Sequence, residues 1–309
     1  MGKRNQTSVT EFILLGLSDH PQLQGLICGT VLLIYLISAL GNLVFLMLMC
    51  TDPQLHKPMY FFLSNLSILD FCCPSVTLPK MLDDFFTGNK FIPYYACMIQ
   101  LYFFLSFTGT ELFLLTAMAY DRFVAICNPL RYSLIMKKSI CVLLAAISWV
   151  TTSLAVLPVT KLVSQLFYCK SNKINHFFCD PSALMKLSCS DTHQLEIWIF
   201  AEGIFVALIP FMLTLTSYIF IISSILRIRS TEGKCKAFST CTSHLTSVVL
   251  FYVTVICIYM RPTSMYSPAL DKLFSLLYIA VIPMLNPIIY SLRNREIKEA
   301  LRKIRSKKQ

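Results

Sequence analysis

Two carboxylic acids lie inside long apolar segments of this 309-residue chain, where ionised side chains are rare. Asp70 is the only Asp, Glu, Lys, Arg or His between residues 58 and 79, and Glu111 is the only one between 91 and 120. Because charge is costly at such positions, a functional role is the default expectation. Two like charges in a low dielectric repel each other, so the pair must take up a proton or a cation. We expect Asn286 to hydrogen-bond with this pair.

A second charged pair, Asp121 and Arg122, stands at the end of the third apolar segment. An ionised pair at that position can reach water but must be partly desolvated. It can serve as an anchor that holds the helix end or as a latch between two conformations. The residue types alone leave both roles open.

Four of the thirteen cysteines fall at the start of the third apolar segment or in the long loop of about residues 161–194. They are Cys97, Cys169, Cys179 and Cys189. An even number on the oxidising side of a membrane predicts two disulfide bonds, with three possible connectivities. No Cys or His spacing is typical of a zinc site, and we find no HExxH, GxSxG or glycine-rich phosphate loop. We therefore expect neither a structural metal nor an enzyme.

Seven apolar segments must position these residues, and each is long enough to cross a bilayer as a helix. About 20 apolar residues are needed, because a helix rises about 1.5 Å per residue across about 30 Å of hydrocarbon. Only 14% of the chain is charged, against about 25% in an ordinary soluble domain. The sequence thus predicts an all-α membrane protein, a seven-transmembrane helix bundle. Its segments are 21–51, 58–79, 91–120, 139–160, 203–226, 237–260 and 273–292, with kinks expected at Pro158, Pro210, Pro283 and Pro287.

Positive charge orients the bundle, because Lys and Arg accumulate in cytoplasmic loops. The net charge is 27 − 16 = +11, and 17 of the 27 Lys and Arg fall in segments that are cytoplasmic if the N-terminus lies outside. Asn5 begins a glycosylation sequon, which is useful only on the outer side. We therefore expect a multi-pass plasma-membrane protein with an extracellular N-terminus. The membrane accounts for the basic charge, so we expect no nucleic acid partner.

Three regions follow from this topology: an extracellular segment at 1–22, the seven-helix domain at 23–292 and a cytoplasmic basic tail at 293–309. Apolar residues recur at helical spacing among the Lys and Arg of the tail. They are Ile297, Ala300, Leu301 and Ile304. The pattern predicts a short amphipathic helix on the inner leaflet, in contact with anionic membrane lipid.

Six motifs occur in order along nearly the whole chain. They are FILLGLS at 12–18, Gly41-Asn42, LHKPMYFFLSNLS at 55–67, MAYDRFVAICNPLRY at 118–132, KAFSTCTSHL at 236–245 and PMLNPIIYSLRN at 283–294. Together they resemble the odorant receptors, the large rhodopsin-like branch of seven-helix G-protein-coupled receptors. Two departures are mild, since Phe123 stands where Tyr is usual and Val253 stands where Gly is common.

The resemblance implies roles for several of these residues. It implies disulfide bonds Cys97–Cys179 and Cys169–Cys189, so that the outer loop covers a ligand pocket. Arg122 would hold the inner helix ends together at rest and turn toward the G protein when active, with Tyr218 and Tyr290 as partners in that movement.

The resemblance also favours a sodium ion at the site of Asp70, Glu111 and Asn286, while a protonated pair stays open. No other cofactor is expected. The partner implied is a stimulatory (olfactory) heterotrimeric G protein, whose activation raises cyclic AMP.

Candidate ligand contacts lie in the outer halves of the third, fifth, sixth and seventh helices, where several share one helix face. They are Phe104, Leu105, Thr108, Gly109, Glu202, Val206, Tyr252, Val255, Ile256, Tyr259 and Ile279. The outer part of the third helix has no carboxylate, so we expect a small, mainly apolar volatile odorant, oriented by Thr108, Tyr252 or Tyr259. Glu202 is the exception, since it offers a site for a polar or cationic group.

Two other classes of protein are alternatives. A transporter predicts an internal repeat and paired broken helices, and seven unequal segments without visible repetition argue against it. A seven-helix receptor for a non-volatile hormone or peptide is the closer alternative.

Overall fold

The computed structural model describes residues 9–17, 21–169, 171–259, 267–293 and 295–306. Its helices are α1 (Pro21–Thr51), α2 (Pro58–Thr87), α3 (Tyr94–Cys127), α4 (Tyr132–Ile135), α5 (Lys138–Ser164), α6 (Pro181–Leu187), α7 (His193–Glu202), α8 (Ile209–Arg227), α9 (Thr231–Tyr259), α10 (Pro268–Leu276), α11 (Ile282–Arg293) and α12 (Arg295–Ser306). Within the described ranges, seven helical spans are long and apolar enough to cross a membrane. Five are the single helices α1, α2, α3, α5 and α9, and two are composite, α7 with α8 and α10 with α11. The prediction of a seven-helix membrane bundle is confirmed.

π-helical turns interrupt the two composite spans. They join α7 to α8 at Gly203–Leu208 and α10 to α11 at Leu277–Val281. Pro210 and Pro283 stand two residues after these turns. Proline has no N–H, and its ring clashes with the carbonyl four residues earlier, so the preceding turn widens. The other two prolines for which kinks are predicted lie inside α5 and α11.

Several spans extend beyond the predicted segments, and α2 and the fifth span do so by the most residues. α2 continues past Pro79 to Thr87, where Gly88 ends it in the left-handed conformation with a φ of 72°. The fifth span begins at His193 and contains Glu196 and Glu202, although the apolar run begins only at 203. A helix of 30 residues is about 45 Å long, so its end turns can pass the hydrocarbon layer and carry polar side chains.

Three short strands, which the hydropathy pattern does not predict, form a small sheet at one end of the bundle. β1 (Glu11–Leu14) lies between β2 (Phe91–Pro93) and β3 (Lys173–Ile174). β1 pairs antiparallel with β2, with Phe12 opposite Ile92, and parallel with β3. We call this the disulfide end, because Cys97 and Cys179 are buried with Phe12 in one apolar cluster. The opposite end, which carries Arg122 and α12, is the tail end.

α3 runs through the centre of the bundle, since it packs against α2, α5, α8 and α9. Large apolar side chains on other helices point away from the protein, and Leu26 and Leu40 of α1 are 70% and 63% exposed. Hydrocarbon solvates such a surface, whereas a soluble protein rarely exposes apolar patches of this extent.

The amphipathic helix predicted in the tail is present as α12, and its described apolar residues face the protein. Ile297 and Ala300 are buried in the main core of the bundle. Glu296 forms an ion pair with Lys57 and accepts a hydrogen bond of 2.8 Å from the Tyr60 hydroxyl. The side chains of Leu301 and Ile304 lie outside the described part of the chain. Contact between this helix and anionic lipid stays a prediction.

Candidate functional site

A cavity of about 740 Å³ lies at the disulfide end, among α3, α7, α9, α10 and the loop that contains α6. Its size is within the range of small-molecule sites, about 300–1,000 Å³. The helices contribute mostly apolar side chains, whereas the loop contributes several polar ones. This combination makes the cavity the candidate ligand site.

One wall of the cavity is apolar and closely packed. It includes Leu105 of α3, Val206 of the π turn and Val255 of α9. Gly109 belongs to the same wall, and a Cβ atom at this position would stand 2.9 Å from Val206 Cγ1 and 3.2 Å from Thr152 Cβ. The absence of a side chain therefore lets α3 approach its neighbours closely at the cavity.

A second wall is polar and includes residues of the loop around α6. His176 is 1% exposed and stacks on Phe177, with ring centroids 4.8 Å apart. Burial, together with the positive charge of Lys272, lowers the pKa of His176 to about 3, so the imidazole is neutral at physiological pH. Asp180 accepts a hydrogen bond of 3.0 Å from the N–H of Ala183 and so caps α6. Burial raises the pKa of Asp180 to about 6.

Two disulfide bonds hold this loop over the cavity. Cys97 at the start of α3 is joined to Cys179, and Cys169 is joined to Cys189, with Cα–Cα distances of 5.5 and 5.9 Å. These are the pairings that the resemblance implies. The N–H of Cys179 also donates to Gln100 Oε1 over 2.9 Å, which fixes the loop to α3 a second time.

The structure brings six of the predicted ligand residues together around the cavity. They are Leu105, Thr108, Gly109, Glu202, Val206 and Val255. Thr108 already donates to the carbonyl of Phe104 at 2.8 Å and accepts from the Tyr278 hydroxyl at 3.0 Å. Its capacity to orient a ligand is therefore largely used within the protein.

Four further predicted ligand residues lie outside the cavity lining. Phe104 packs against Phe178, Tyr252 packs against Phe211, and Ile279 is fully buried, all outside the cavity lining. Ile256 is 43% exposed on the outer surface of α9, because it lies about 100° around the helix from Val255. Helical spacing predicts which residues share one face of a helix, but it does not predict whether that face points into the cavity. The side chain of Tyr259 lies outside the described part of the chain.

Several lining residues are absent from the predicted set. The loop supplies His176, Asp180 and Met185, and α10 supplies Asp271 and Ser275. The sequence does contain a signal for the loop residues. A disulfide bond between Cys97 and Cys179 places the residues next to Cys179 close to the start of α3, and therefore close to the cavity. Asp271 lies before the apolar run of the last span, where hydropathy gives no indication that the helix has begun.

The two intramembrane carboxylates are buried at the centre of the bundle. Asn286 Nδ2 donates to both oxygens of Asp70, at 3.1 and 3.0 Å. The Tyr278 hydroxyl lies 3.4 Å from Glu111 Oε2 and within reach of Cys73 Sγ, at 3.8 Å. Asp70 and Glu111 are close enough to interact electrostatically. In the described ranges, no group of three or more His, Cys, Asp or Glu has the arrangement of a metal site.

At the tail end, Arg122 and Asp121 form an ion pair of 2.6 Å, and the pair is hidden from solvent except for 13% of the Arg122 side chain. The Tyr132 hydroxyl donates to the other oxygen of Asp121 at 2.7 Å. Tyr218 hydrogen-bonds with His244 Nδ1 at 2.6 Å, and Tyr290 is buried. The arrangement satisfies both charges and keeps Arg122 turned toward its own helix.

Comparison with known proteins agrees with these features. A sequence model of the family described as "Olfactory receptor" matches residues 31–308. The chain is 48% identical to olfactory receptor 5AR1 of Mus musculus over 308 residues, which cover 100% of this chain and 99% of that protein. It is 50% identical to olfactory receptor 1E2 of Gorilla gorilla gorilla and 49% identical to olfactory receptor 5I1 of Homo sapiens, each over 301 residues that cover 97% of this chain and 96% of the relative.

Both kinds of match extend over nearly the whole chain, so the resemblance inferred from the motifs is confirmed. Proteins of this family are receptors and not enzymes. The glycosylation candidate Asn5 lies outside the described residues. The chain is a multi-pass membrane protein that belongs to the olfactory receptor family of G-protein-coupled receptors.

Proposed function

We propose that the cavity binds small, mainly apolar volatile molecules. The observation that carries this proposal is the apolar wall of Leu105, Val206 and Val255, enclosed by a loop that two disulfide bonds tether. Burial of a ligand's apolar surface against such a wall contributes about 25 cal/mol for each Å² removed from water. Hydrogen bonds from the polar wall would then orient the ligand.

The disulfide end faces the outside of the plasma membrane in this proposal, with the N-terminal segment and Asn5 on the same side. The two disulfide bonds support the orientation, because they persist in an oxidising compartment. The excess of Lys and Arg in the segments of the tail end supports it independently.

Signalling then requires the tail end to exist in two conformations. The ion pair of Asp121 with Arg122 and the hydrogen bond from Tyr132 support a latch that is closed in the resting conformation. An agonist that binds the contracted cavity more tightly shifts the population toward the conformation in which the latch opens. The open tail end would activate a stimulatory heterotrimeric G protein and raise cyclic AMP.

A sodium ion at the buried carboxylates completes the proposal. The donor set fits, since Asp70 and Glu111 supply hard oxygen ligands and the Tyr278 hydroxyl lies close to Glu111. No Lys or Arg is hydrogen-bonded or ion-paired with either carboxylate in the described part of the chain. A bound cation would supply the positive charge that balances the pair. Asn286 would keep Asp70 oriented through its two hydrogen bonds.

One experiment tests the receptor function. Cyclic AMP is measured in cells that express the intact chain, the Arg122→Ala variant or the Lys161→Ala variant, at matched surface levels and with a panel of volatile compounds. We expect a dose-dependent response in the intact chain and in Lys161→Ala, and its loss in Arg122→Ala. Silence of the intact chain toward the whole panel, at normal surface level, would contradict the proposal.

The ion is tested separately by exchange of external sodium for N-methylglucamine in the same assay. We expect agonist potency to change in the intact chain and to stay constant in the Asp70→Asn/Glu111→Gln double variant. A sodium-independent potency in the intact chain would contradict the ion site and favour a protonated pair.

A further inference from the structure

The polar wall of the cavity is rich in carboxylates. The described lining includes one Lys or Arg, Lys186, and four carboxylates, those of Asp180, Glu196, Glu202 and Asp271. His176 adds no charge, because its imidazole is neutral at physiological pH. An acidic cavity favours a cationic ligand over a neutral or anionic one.

Most of these charges already have partners within the protein. Asp180 accepts from the N–H of Ala183, and Glu196 accepts from the Thr192 hydroxyl at 2.9 Å. Asp271 and Lys186 each have an interaction partner as well. The partly buried carboxylate of Glu202 differs from them, because it has no hydrogen-bond or ion-pair partner among the residues that the structure describes. It is thus the acidic group in the cavity that remains available to a ligand.

His176 supplies a second and independent sign of a ligand. Its side chain lines the cavity and is 1% exposed, yet neither ring nitrogen has a hydrogen-bond partner in the described part of the protein. Buried polar atoms are almost always paired, because an unpaired one costs about 1–3 kcal/mol. A polar group of a bound molecule would remove this cost.

We propose that the receptor recognises small amines with an apolar body, whose ammonium group donates hydrogen bonds to Glu202 and to a ring nitrogen of His176 while the hydrocarbon lies on the wall of Leu105 and Val255. The inference rests on the proposed function, since it names the chemical class of odorant for the same cavity. A primary aliphatic amine is small and volatile in its neutral form, and it is protonated in neutral water. A hydrogen bond from an ammonium group to a carboxylate is stronger than one between neutral groups, because both partners are charged.

The test compares primary amines with alcohols of the same carbon skeleton, which is linear, branched, cyclic or aromatic. Cyclic AMP is measured in cells that express each receptor variant at a matched surface level. We expect at least one amine to activate, with its alcohol at least about tenfold weaker, as loss of a charged hydrogen bond predicts. Glu202→Gln should weaken the active amine about tenfold or more, whereas Glu11→Gln, which changes an exposed glutamate of β1 outside the cavity lining, should change its potency less than about threefold. His176→Phe, which keeps the ring contacts, should weaken the amine about fivefold.

The outcomes separate this proposal from the receptor function. If neutral volatiles activate and amines do not, the amine proposal is overturned while odorant signalling stands. If no volatile of any class activates the well-expressed receptor, both are overturned. An active amine whose potency is the same in Glu202→Gln and Glu11→Gln also overturns the assignment of Glu202.

Discussion

The Tyr278 hydroxyl donates a hydrogen bond to Thr108 Oγ1 over 3.0 Å. Thr108 lines the ligand cavity, and the same hydroxyl lies 3.4 Å from the buried carboxylate of Glu111. A single side chain of the last span therefore joins the cavity wall to the carboxylate core. Phe251 packs edge-on against the Tyr278 ring, with centroids 5.2 Å apart, so α9 contacts the same junction.

Replacing Tyr278 by Phe tests the importance of this junction. The variant keeps the ring contacts but leaves Glu111 and Thr108 without the hydroxyl, so we expect a loss of about 1–3 kcal/mol in stability. Thermal unfolding of the purified receptor in detergent measures the change. Tyr102→Phe is the control, because its hydroxyl makes one 3.3 Å bond to the Ser153 carbonyl at a partly buried position. Equal unfolding temperatures in the two variants would argue against a special role for the junction.

Two glycines beside the cavity should respond differently to Ala. A Cβ at Gly109 meets Val206 and Thr152 at distances of 2.9–3.2 Å, whereas a Cβ at Gly203 meets nothing within 4 Å. We expect Gly109→Ala to destabilise the receptor by about 1–3 kcal/mol through overpacking and to lower its surface level. Gly203→Ala should reach the surface as the intact chain does. Surface immunostaining and thermal unfolding compare the two, and the reverse order would contradict the packing described for α3.

His244 connects three helices near the tail end. Its Nδ1 bonds with the Tyr218 hydroxyl of α8 at 2.6 Å, and its Nε2 bonds with the Leu115 carbonyl of α3 at 3.1 Å. We expect His244→Phe to raise agonist-independent cyclic AMP, because the network holds α9 against α3 in the conformation that we propose to be the resting one. A loss of about 1 kcal/mol would raise the active fraction up to about fivefold. In the control Thr242→Val, the lost hydroxyl donates to the Phe238 carbonyl of the same helix, so basal activity should stay constant.

Asp180 should make the stability of the receptor depend on pH. Burial raises its pKa from 3.8 to about 6, so the folded state binds the proton more tightly than the unfolded state. The contribution to stability is full below about 3.8 and is lost as the pH rises through about 6. Asp180→Asn keeps an N-cap residue and removes the charge, so the variant should unfold at a higher temperature than the intact chain at pH 7.5.

At pH 5.0 the difference between the intact chain and Asp180→Asn should shrink, since the intact carboxyl is then mostly protonated. The full effect is at most about 3 kcal/mol, because one pKa unit corresponds to about 1.4 kcal/mol. The control Asp191→Asn changes an exposed carboxylate that accepts from the N–H of His193 at 3.0 Å, and its unfolding temperature should differ little from that of the intact chain. A difference that is constant from pH 5.0 to 7.5 would contradict the assignment to Asp180.

The sequence by itself determined the seven spans, the motifs of the family and the pairing of charge at Asp121 and Arg122. These features are readable because hydropathy, spacing and charge act locally along the chain, and an apolar run of about 20 residues has few stable states other than a membrane helix. The limits of α2 and of the fifth span were less predictable. A helix continues through polar end turns once its backbone hydrogen bonds are formed, and hydropathy does not register those turns.

Only the tertiary structure decided which side chains meet. Thr108 and Tyr278 are 170 residues apart, and Leu115 and His244 are 129 apart. The rotation of α9 places Val255 in the cavity and Ile256 on the outer surface, although both fit the same apolar pattern. The loop that carries His176 and Asp180 has no hydropathy signal that would direct it to the cavity. Helix rotation and loop path depend on packing against every neighbour at once, so no local pattern in the chain specifies them.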